Sequence, residues 1–224
     1  MAFLLQANLN HCRRAQDLMT QSLAVAAEPY SVPAHPAWVG DETGTVAIYC
    51  VWGHEIPIFT LAERGPGFVA GEWGETIVVG WYFSPNRPLR DFEEYLDGLE
   101  AVVRRWHPRP VLVLGDFNAK SVTWGSPRTE AKEEALEVWM AVCGLQLLNR
   151  GSQQTCVRQH GGSIVDLSFA SPAAVPRVSE WQVRVDVETL SDHRYVTMVV
   201  STRPWPPGLP GWEQHSTAAG LGSP

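Results

Sequence analysis

The chain has 224 residues, a formal net charge of −7 and 45% hydrophobic residues. This length and hydrophobic content allow one sizeable core, so folding requires neither a disulfide framework nor a structural metal. The negative charge disfavours a protein that coats nucleic acid passively, because non-specific affinity comes from Lys and Arg that neutralise phosphates. It leaves open an enzyme whose acidic residues are balanced by a bound cation.

Cysteine usage and the absence of long apolar runs suggest that the protein is intracellular. No CxxC pair or zinc-ligand spacing occurs, and the apolar run at the amino terminus ends at Asn8, too soon for a signal peptide. No stretch of sequence is long enough to span a bilayer. We therefore expect a soluble intracellular protein with free thiols at Cys12, Cys50, Cys143 and Cys156.

Apolar spacings of three and four residues predict helices, and short β-branched runs bounded by Gly, Pro or Asp predict strands. In chain order these are helix Cys12–Ala26, strands Thr45–Val51, Ile56–Leu61 and Thr76–Trp81, helix Leu89–Trp106, strand Val111–Leu114, helix Glu130–Cys143, and strands Val165–Ala170, Val183–Val187 and Val196–Val200. Crossover helices combined with hairpins predict an α/β (α+β) fold. We expect a four-layer α/β sandwich, with two mixed β-sheets packed face to face and helices outside.

Three segments interrupt this pattern. Tyr30–Gly44 and the Gly-rich Arg64–Gly74 are predicted to be mobile loops at the rim of a site. After Arg203 the sequence is dense in Pro and Gly and has no hydrophobic periodicity. The predicted organisation is one domain over residues 1–202, followed by a tail or linker over residues 203–224.

The run Val111–Leu114 leads directly into Gly115-Asp116-Phe117-Asn118. Side chains two residues apart on an extended chain share a face, so Asp116 and Asn118 can point into the same space at the end of a strand. A simple strand-to-loop turn is the alternative, because Gly, Asp and Asn all favour turns.

Further polar side chains lie at or near the ends of predicted elements. Glu28 follows the first predicted helix, and Asp166 lies within an apolar run, where a carboxylate is costly unless it is paired. Each such residue also has an ordinary structural explanation, such as a helix cap, a turn or a hydroxyl at the edge of the core. The complete ordered set is more informative than any member: Asn8, Glu28, Tyr82, Asp116, Asn118, Asp166 and Ser191-Asp192-His193.

This ordered set, which runs from Gln6 to about Thr197, resembles the motifs of the endonuclease/exonuclease/phosphatase superfamily. Other segments are similar to the amino-terminal endonuclease of LINE-type (non-LTR) retrotransposons, especially insect elements that insert into ribosomal RNA genes or telomeric repeats. These segments are "QANLNHCRRAQDLM", "AEPY", "NAKSVTWGS", "GLQLLNRGSQQT" and "SIVDLSFAS". One departure is Gln154-Thr155-Cys156, where many relatives have Pro-Thr-Phe.

The resemblance implies roles for individual residues around a phosphodiester. It implies Mg²⁺, with Mn²⁺ as a possible substitute, held by Glu28, Asn8 and Asp192. It implies that Asp116 activates water, that Asn118 holds the water or the phosphate, and that Tyr82 hydrogen-bonds the phosphate. His193 would contact a phosphate oxygen as the imidazolium paired with Asp166. The implied catalytic set is Asp116, Asn118, His193, Asp166, Tyr82 and Glu28.

The resemblance also implies a DNA-probing β-hairpin over Cys156–Ser163, with a tight turn at Gly161-Gly162. Arg158 and His160 on this hairpin would contact double-stranded DNA, together with Asn118 and Tyr82. The implied function is to nick a specific genomic site in the nucleus. The nick would leave a 3′-OH that primes the reverse transcriptase domain of the same polyprotein.

Other functions share the same set of residues. A phosphoesterase of this fold could act on abasic sites, inositol phosphates or sphingomyelin. A catalytically inactive DNA-tethering module is also possible, although such a module is expected to have lost at least one of the catalytic residues. Trp124, which follows the Asp-Phe-Asn motif, is predicted to support that loop structurally.

Overall fold

The computed structural model describes residues 1–51, 53, 56–126, 129–159 and 161–201. His160, the predicted domain boundary at residue 202 and the predicted tail over residues 203–224 lie outside the described residues. All four cysteines are described and are free thiols, as predicted. Within the described ranges, no helix has the length and apolar character needed to cross a membrane.

The described residues form fourteen strands, three α-helices and two short 3₁₀ helices. The strands are β1 (Ala2–Asn8), β2 (Leu23–Ala27), β3 (Trp38–Gly40), β4 (Val46–Cys50), β5 (Phe59–Gly65), β6 (Phe68–Trp73), β7 (Thr76–Tyr82), β8 (Val111–Asp116), β9 (Gln146–Leu147), β10 (Cys156–Arg158), β11 (Gly161–Ser163), β12 (Asp166–Ala170), β13 (Val178–Val183) and β14 (Val196–Val200). The α-helices are α1 (Arg13–Gln16), α2 (Leu89–Trp106) and α3 (Ala131–Val142), and the 3₁₀ helices are Val122–Trp124 and Val175–Arg177.

Two six-stranded sheets form the centre of the molecule. The first has the order β13-β14-β1-β2-β4-β3 and the second has the order β5-β6-β7-β8-β12-β9. Both are mixed, because β1–β2 and β7–β8 are parallel whereas the other pairs in these sheets are antiparallel. One apolar core lies between the sheets, and a second lies between the second sheet and helices α2 and α3. The predicted sandwich is confirmed.

The two longer helices agree with the predictions over Leu89–Trp106 and Glu130–Cys143. The predicted helix over Cys12–Ala26 is wrong. Only Arg13–Gln16 is helical, and Leu23–Ala27 is a strand whose five residues are all buried. A short apolar run that is buried on both faces has no alternation, so its sequence does not distinguish a helix from a central strand. Glu28 therefore follows a strand and not a helix.

The two predicted rim loops contain regular structure. Arg64–Gly74 includes the end of β5 and all of β6, which are joined by a turn in which Gly67 has a φ of +77°. Tyr30–Gly44 contains β3. The buried carboxylate of Asp41 joins the two segments, because it accepts hydrogen bonds from the backbone N–H groups of Gly67 (2.7 Å) and Thr45 (2.7 Å). These hydrogen bonds satisfy the buried carboxylate and hold the two segments in place. The prediction that they are mobile loops is therefore wrong.

Three smaller predictions also need correction. The strand predicted over Ile56–Leu61 is β5, which begins at Phe59, and the strand predicted over Val183–Val187 is β13, which ends at Val183. Both are edge strands of their sheets, where the hydrophobic pattern is weak. The predicted hairpin is present, but Gly161-Gly162 begins β11 because Arg158 pairs with Gly161.

Gly115 offers a test of how closely the strands approach beside the Asp116 motif. A Cβ atom at Gly115 would lie 1.8 Å from the carbonyl oxygen of Trp81 on β7. We expect Gly115→Ala to lower the free energy of unfolding by about 1–3 kcal/mol or more, because backbone atoms must move. Gly98→Ala is the control: no atom lies within 4 Å of a Cβ there. On helix α2 this control is expected to raise stability by ~1 kcal/mol. Urea denaturation of both variants measures the effect, and equal stabilities would contradict the packing argument.

Candidate active site

Two aspartates face each other across the second sheet. Asp116 at the end of β8 pairs in register with Asp166 at the start of β12, and each residue is only 1% exposed. Burial raises the pKa of Asp116 to about 7, and the negative charge of Asp166 acts in the same direction. Like charges placed opposite each other on neighbouring strands are destabilising, so this pair requires compensating groups.

His193 supplies the positive charge. Its Nδ1 atom lies 2.8 Å from Oδ2 of Asp166, and both side chains are almost completely buried. Burial alone disfavours the imidazolium, but the charge and hydrogen bond of Asp166 outweigh burial and raise the pKa of His193 to about 11. The contact places an imidazolium beside two carboxylates.

Asn8, at the end of β1, brings the first sheet into the site. Its Nδ2 atom donates to Oδ2 of Asp116 (2.9 Å) and to Oε2 of Glu28 (3.0 Å). Ser191 fixes the backbone around it, because its hydroxyl donates to the carbonyl of Asn8 and accepts from the N–H of His193. One short chain of hydrogen bonds therefore links both sheets with the His193 segment.

Glu28 is held immediately after β2. Its backbone has a φ of +45°, and its N–H donates to the carbonyl of Thr45. The Tyr82 hydroxyl donates to Oε1 of Glu28 at 2.6 Å. Burial raises the pKa of Tyr82, and the hydrogen bond and charge of Glu28 raise it further, so the phenol stays protonated and remains a donor. The His11 imidazole lies 3.6 Å from the same carboxylate oxygen.

Asn118 follows the Asp116 strand in a left-handed conformation, with a φ of +50° that Asn tolerates better than most residues. Its N–H donates to Oδ1 of Asp116, and its Nδ2 donates to the carbonyl of Phe83. Trp124 supports this loop as predicted: its indole is buried and donates to the carbonyl of Ala119.

The predicted DNA-probing hairpin is joined to the segment that carries His193. The N–H of Val157 donates to the carbonyl of Asp192, and Cys156 forms an antiparallel bridge with His193. The Nε atom of Arg158 also donates to the Asp192 carboxylate, at 2.8 Å. Asp192, which was predicted to bind metal, is thus paired with a predicted DNA-binding residue in this structure.

Sequence reasoning missed several buried or partly buried residues that hold these groups in place. The hydroxyl of Thr155 accepts the N–H groups of Val165 and Asp166, and the amide of Asn149 donates to the carbonyl of Asp166. Gln6 reaches from the first sheet to the carbonyls of Gly115 and Leu167 on the second. Such contacts join residues far apart in sequence, so no local pattern identifies them.

Two cavities open beside the hairpin. One of about 310 Å³ is lined by Asn118, Cys156, Arg158 and His193, among others. A second, of about 780 Å³, shares Asn118 and Arg158 and extends toward the start of α3. Lys120 lines both cavities and is exposed, although sequence reasoning did not select it.

The donor atoms fit a divalent cation. Among the described residues, Asp116, Asp166 and His193 offer ligand atoms that lie within 4.8 Å of one another, as do Cys156, Asp192 and His193. The carboxylates of Glu28 and Asp116 converge on a single nitrogen atom of Asn8, which concentrates negative charge at one point. The side chain of Glu28 remains 22% exposed, so solvent reaches this point. These carboxylates, with the amide oxygen of Asn8 turned toward them, would form an all-oxygen set with access to water, which is typical of hard cations.

This arrangement agrees with comparisons to known proteins. The endonuclease-reverse transcriptase family matches residues 76–197, which is more than half of the chain. The chain belongs to this family. The match includes Tyr82, Asp116, Asp166 and His193, and it confirms the resemblance to the endonuclease/exonuclease/phosphatase superfamily.

Two of the proteins that the chain is similar to come from retrotransposons. The chain is 28% identical over 141 residues to a putative 115 kDa protein in the type-1 retrotransposable element R1DM of Drosophila melanogaster. That match covers 58% of this chain but only 13% of the relative's length. The endonuclease domain of TRAS1, a telomere-specific non-LTR retrotransposon, superposes with a TM-score of 0.73 at 25% identity, covering 89% of this chain and 97% of that domain.

A more distant structure confirms the fold alone. An AP endonuclease from Archaeoglobus fulgidus has a TM-score of 0.66 at 13% identity, with coverage of 89% of this chain and 99% of that one. The chain therefore shares its fold with this more distant protein.

The His193–Asp166 pair gives a direct prediction. In Asp166→Asn the imidazole stays buried but loses its principal counter-charge, so we expect the pKa of His193 to fall by about 1–3 pH units. NMR titration of the metal-free protein measures this pKa. The control is Asp186→Asn, because Asp186 is exposed and pairs with Arg184. An unchanged His193 titration in Asp166→Asn would contradict the assigned contact.

Proposed function

We propose that this domain is a metal-dependent endodeoxyribonuclease that nicks double-stranded target DNA by phosphodiester hydrolysis. The observation that carries the proposal is the convergence of Glu28 and Asp116 on Asn8, directly beside the Asp166–His193 pair. This places a candidate cation site, a base and a phosphate-binding imidazolium around one point. The likeness to the TRAS1 endonuclease domain supports DNA as the substrate class.

In this proposal Glu28 and Asn8 would hold Mg²⁺, or Mn²⁺ in its place, and Asp192 would assist. Asn8 would turn its amide oxygen, which accepts the N–H of Asn10, toward the ion. A cation held there would supply the positive charge that polarises the phosphate and stabilises the leaving oxyanion. The Tyr82 hydroxyl fixes the orientation of Glu28 through its 2.6 Å hydrogen bond. A contact between Tyr82 and the phosphate stays a prediction.

Asp116 is the proposed base. Its pKa of about 7 lies near neutral pH, which suits a group that accepts a proton from an attacking water. The N–H of Asn118 holds Oδ1 of the carboxylate in place, and the Asn118 side chain would contact the water or the phosphate.

His193 is the proposed phosphate ligand. Because Nδ1 lies against Asp166, Nε2 is the atom left to donate to a non-bridging oxygen. Asp166 keeps the imidazole oriented and charged.

Nuclear action, a specific genomic target and delivery of the 3′-OH to a reverse transcriptase in the same polyprotein belong to the same proposal.

Nicking of supercoiled plasmid tests the chemistry. We expect wild-type protein to nick with Mg²⁺ or Mn²⁺ and not with EDTA. Asp116→Asn and His193→Ala are expected to lower the rate by about 10²–10³, because each removes a preorganised group. Asp186→Asn is the control for the loss of one surface carboxylate.

The outcome separates the alternative functions. Cleavage restricted to abasic DNA would favour a repair-type endonuclease, and hydrolysis of inositol phosphates or sphingomyelin would favour a phosphoesterase. Metal-independent DNA binding without cleavage by folded wild-type protein would favour a tethering module and overturn the nuclease proposal.

The hairpin is proposed to select the cleavage site. Strand β10 is bonded to the His193 segment, whereas β11 is the outer strand. We expect replacement of residues 159–163 by a different turn and outer strand to change the cut positions on a panel of DNA duplexes while nicking persists. Retained nicking is the internal control for folding and catalysis. An unaltered pattern of cuts would assign selectivity to another part of the surface.

A further inference from the structure

A sulfur ligand lies beside the proposed catalytic residues and has no part in the mechanism above. Cys156, Asp192 and His193 offer one ligand atom each, and these atoms lie within 4.8 Å of one another. The Cys156 sulfur is 3.9 Å from Oδ2 of Asp192, and Nε2 of His193 is 3.9 Å from Oδ1 of Asp192. Cys156 and His193 are each 4% exposed, so the cluster is built into the fold.

The orientation of the imidazole favours metal binding. Nδ1 of His193 is fixed against Asp166, which leaves Nε2 directed toward Asp192. Metal-ligating histidines commonly have this arrangement, in which a carboxylate holds the other ring nitrogen and orients the ring.

The ligand types and spacings select the class of cation. Tetrahedral zinc with sulfur, nitrogen and oxygen ligands requires about 3.3–3.6 Å between ligand atoms. The three ligand atoms lie within 4.8 Å of one another, so they need to approach by up to about an ångström. Thiolate ligands favour Zn²⁺, whereas the all-oxygen set at Glu28 favours Mg²⁺. We propose that Cys156, Asp192 and His193 form a site for a thiophilic divalent cation, of which Zn²⁺ is the representative, with water as a fourth ligand.

An ion at this site must displace two hydrogen bonds that the Asp192 carboxylate accepts. The donors are Nε of Arg158 and Nδ2 of Asn10. The Arg158 side chain is 70% exposed and can turn into solvent. The 310 Å³ cavity, which is lined by both Cys156 and His193, provides a path for the ion. Because the guanidinium repels a cation, Arg158→Gln is expected to tighten binding.

The bound ion has a consequence for activity that rests on the proposed nuclease function. Zn²⁺ would replace the Nε2 proton of the His193 imidazolium and the thiol proton of Cys156, and both protons would leave to solvent, so Nε2 could no longer donate to a phosphate oxygen. The site is therefore inhibitory, and Cys156 is its one member outside the proposed catalytic and Mg²⁺-binding residues.

Metal binding is tested first, independently of activity. Co²⁺ is added to metal-free protein, and the thiolate-to-cobalt charge-transfer band is recorded. We expect a 1:1 complex with this band in wild type and in the control Cys143→Ser, and no band in the near-isosteric Cys156→Ser. Calorimetric titration with Zn²⁺ is expected to show at least about tenfold weaker binding by Cys156→Ser, since even the loss of a residue that supports a metal ligand costs about 10–100-fold. A missing band in wild type, or an equal band in Cys156→Ser, would overturn the site.

Inhibition is tested next with Mg²⁺-dependent plasmid nicking at increasing Zn²⁺. We expect wild type and Cys143→Ser to be inhibited at Zn²⁺ concentrations at least tenfold lower than Cys156→Ser, with each rate taken relative to the rate of the same protein without Zn²⁺. Equal inhibition of Cys156→Ser would mean that Zn²⁺ acts elsewhere, for example at Glu28, and would refute the inhibitory role. If wild type never nicks, the nuclease proposal fails, whereas the cobalt spectrum still decides the metal site.

Discussion

The structure of the site depends on the burial of two negative charges at one register position. Asp116 and Asp166 face each other on β8 and β12, and burial and the charge of Asp166 both raise the pKa of Asp116. The fold offsets this cost with the imidazolium of His193 on one aspartate and the Asn8 amide on the other. Removing either partner would leave a buried charge uncompensated, so the chain around each is held by further hydrogen bonds, including those of Thr155.

The same compensation explains why the site joins both sheets. Asn8 and Glu28 follow strands of the first sheet, whereas Asp116 and Asp166 belong to the second. Because the sheets pack face to face, their polar strand ends meet at one edge and the apolar residues remain behind them. Arg158 then connects this edge to the hairpin through Asp192. The hairpin and the buried charges are thus parts of one hydrogen-bonded unit.

Sequence patterns predicted the elements whose two faces differ. Leu89–Trp106 is helical as predicted because its apolar residues lie on one side. The helix prediction failed at Leu23–Ala27 because all five residues of this strand are buried, so the segment shows no hydrophobic periodicity. The ordered motifs identified the residues that converge on the site. Their individual partners could not be predicted, because a contact such as Asn8 to Asp116 joins residues 108 positions apart and depends on the packing of two sheets.

The pairing of β1 with β14 also has a consequence for synthesis on the ribosome. These strands are sequence-distant neighbours inside the first sheet, with Ala2 opposite Val200. The edge of β1 that faces β14 stays unpaired until translation has passed residue 200, and long-range pairing of this kind forms late. His193 lies just before β14 and Asn8 at the end of β1. A nascent chain therefore cannot assemble the charge-compensated site until nearly all of the described domain has been translated.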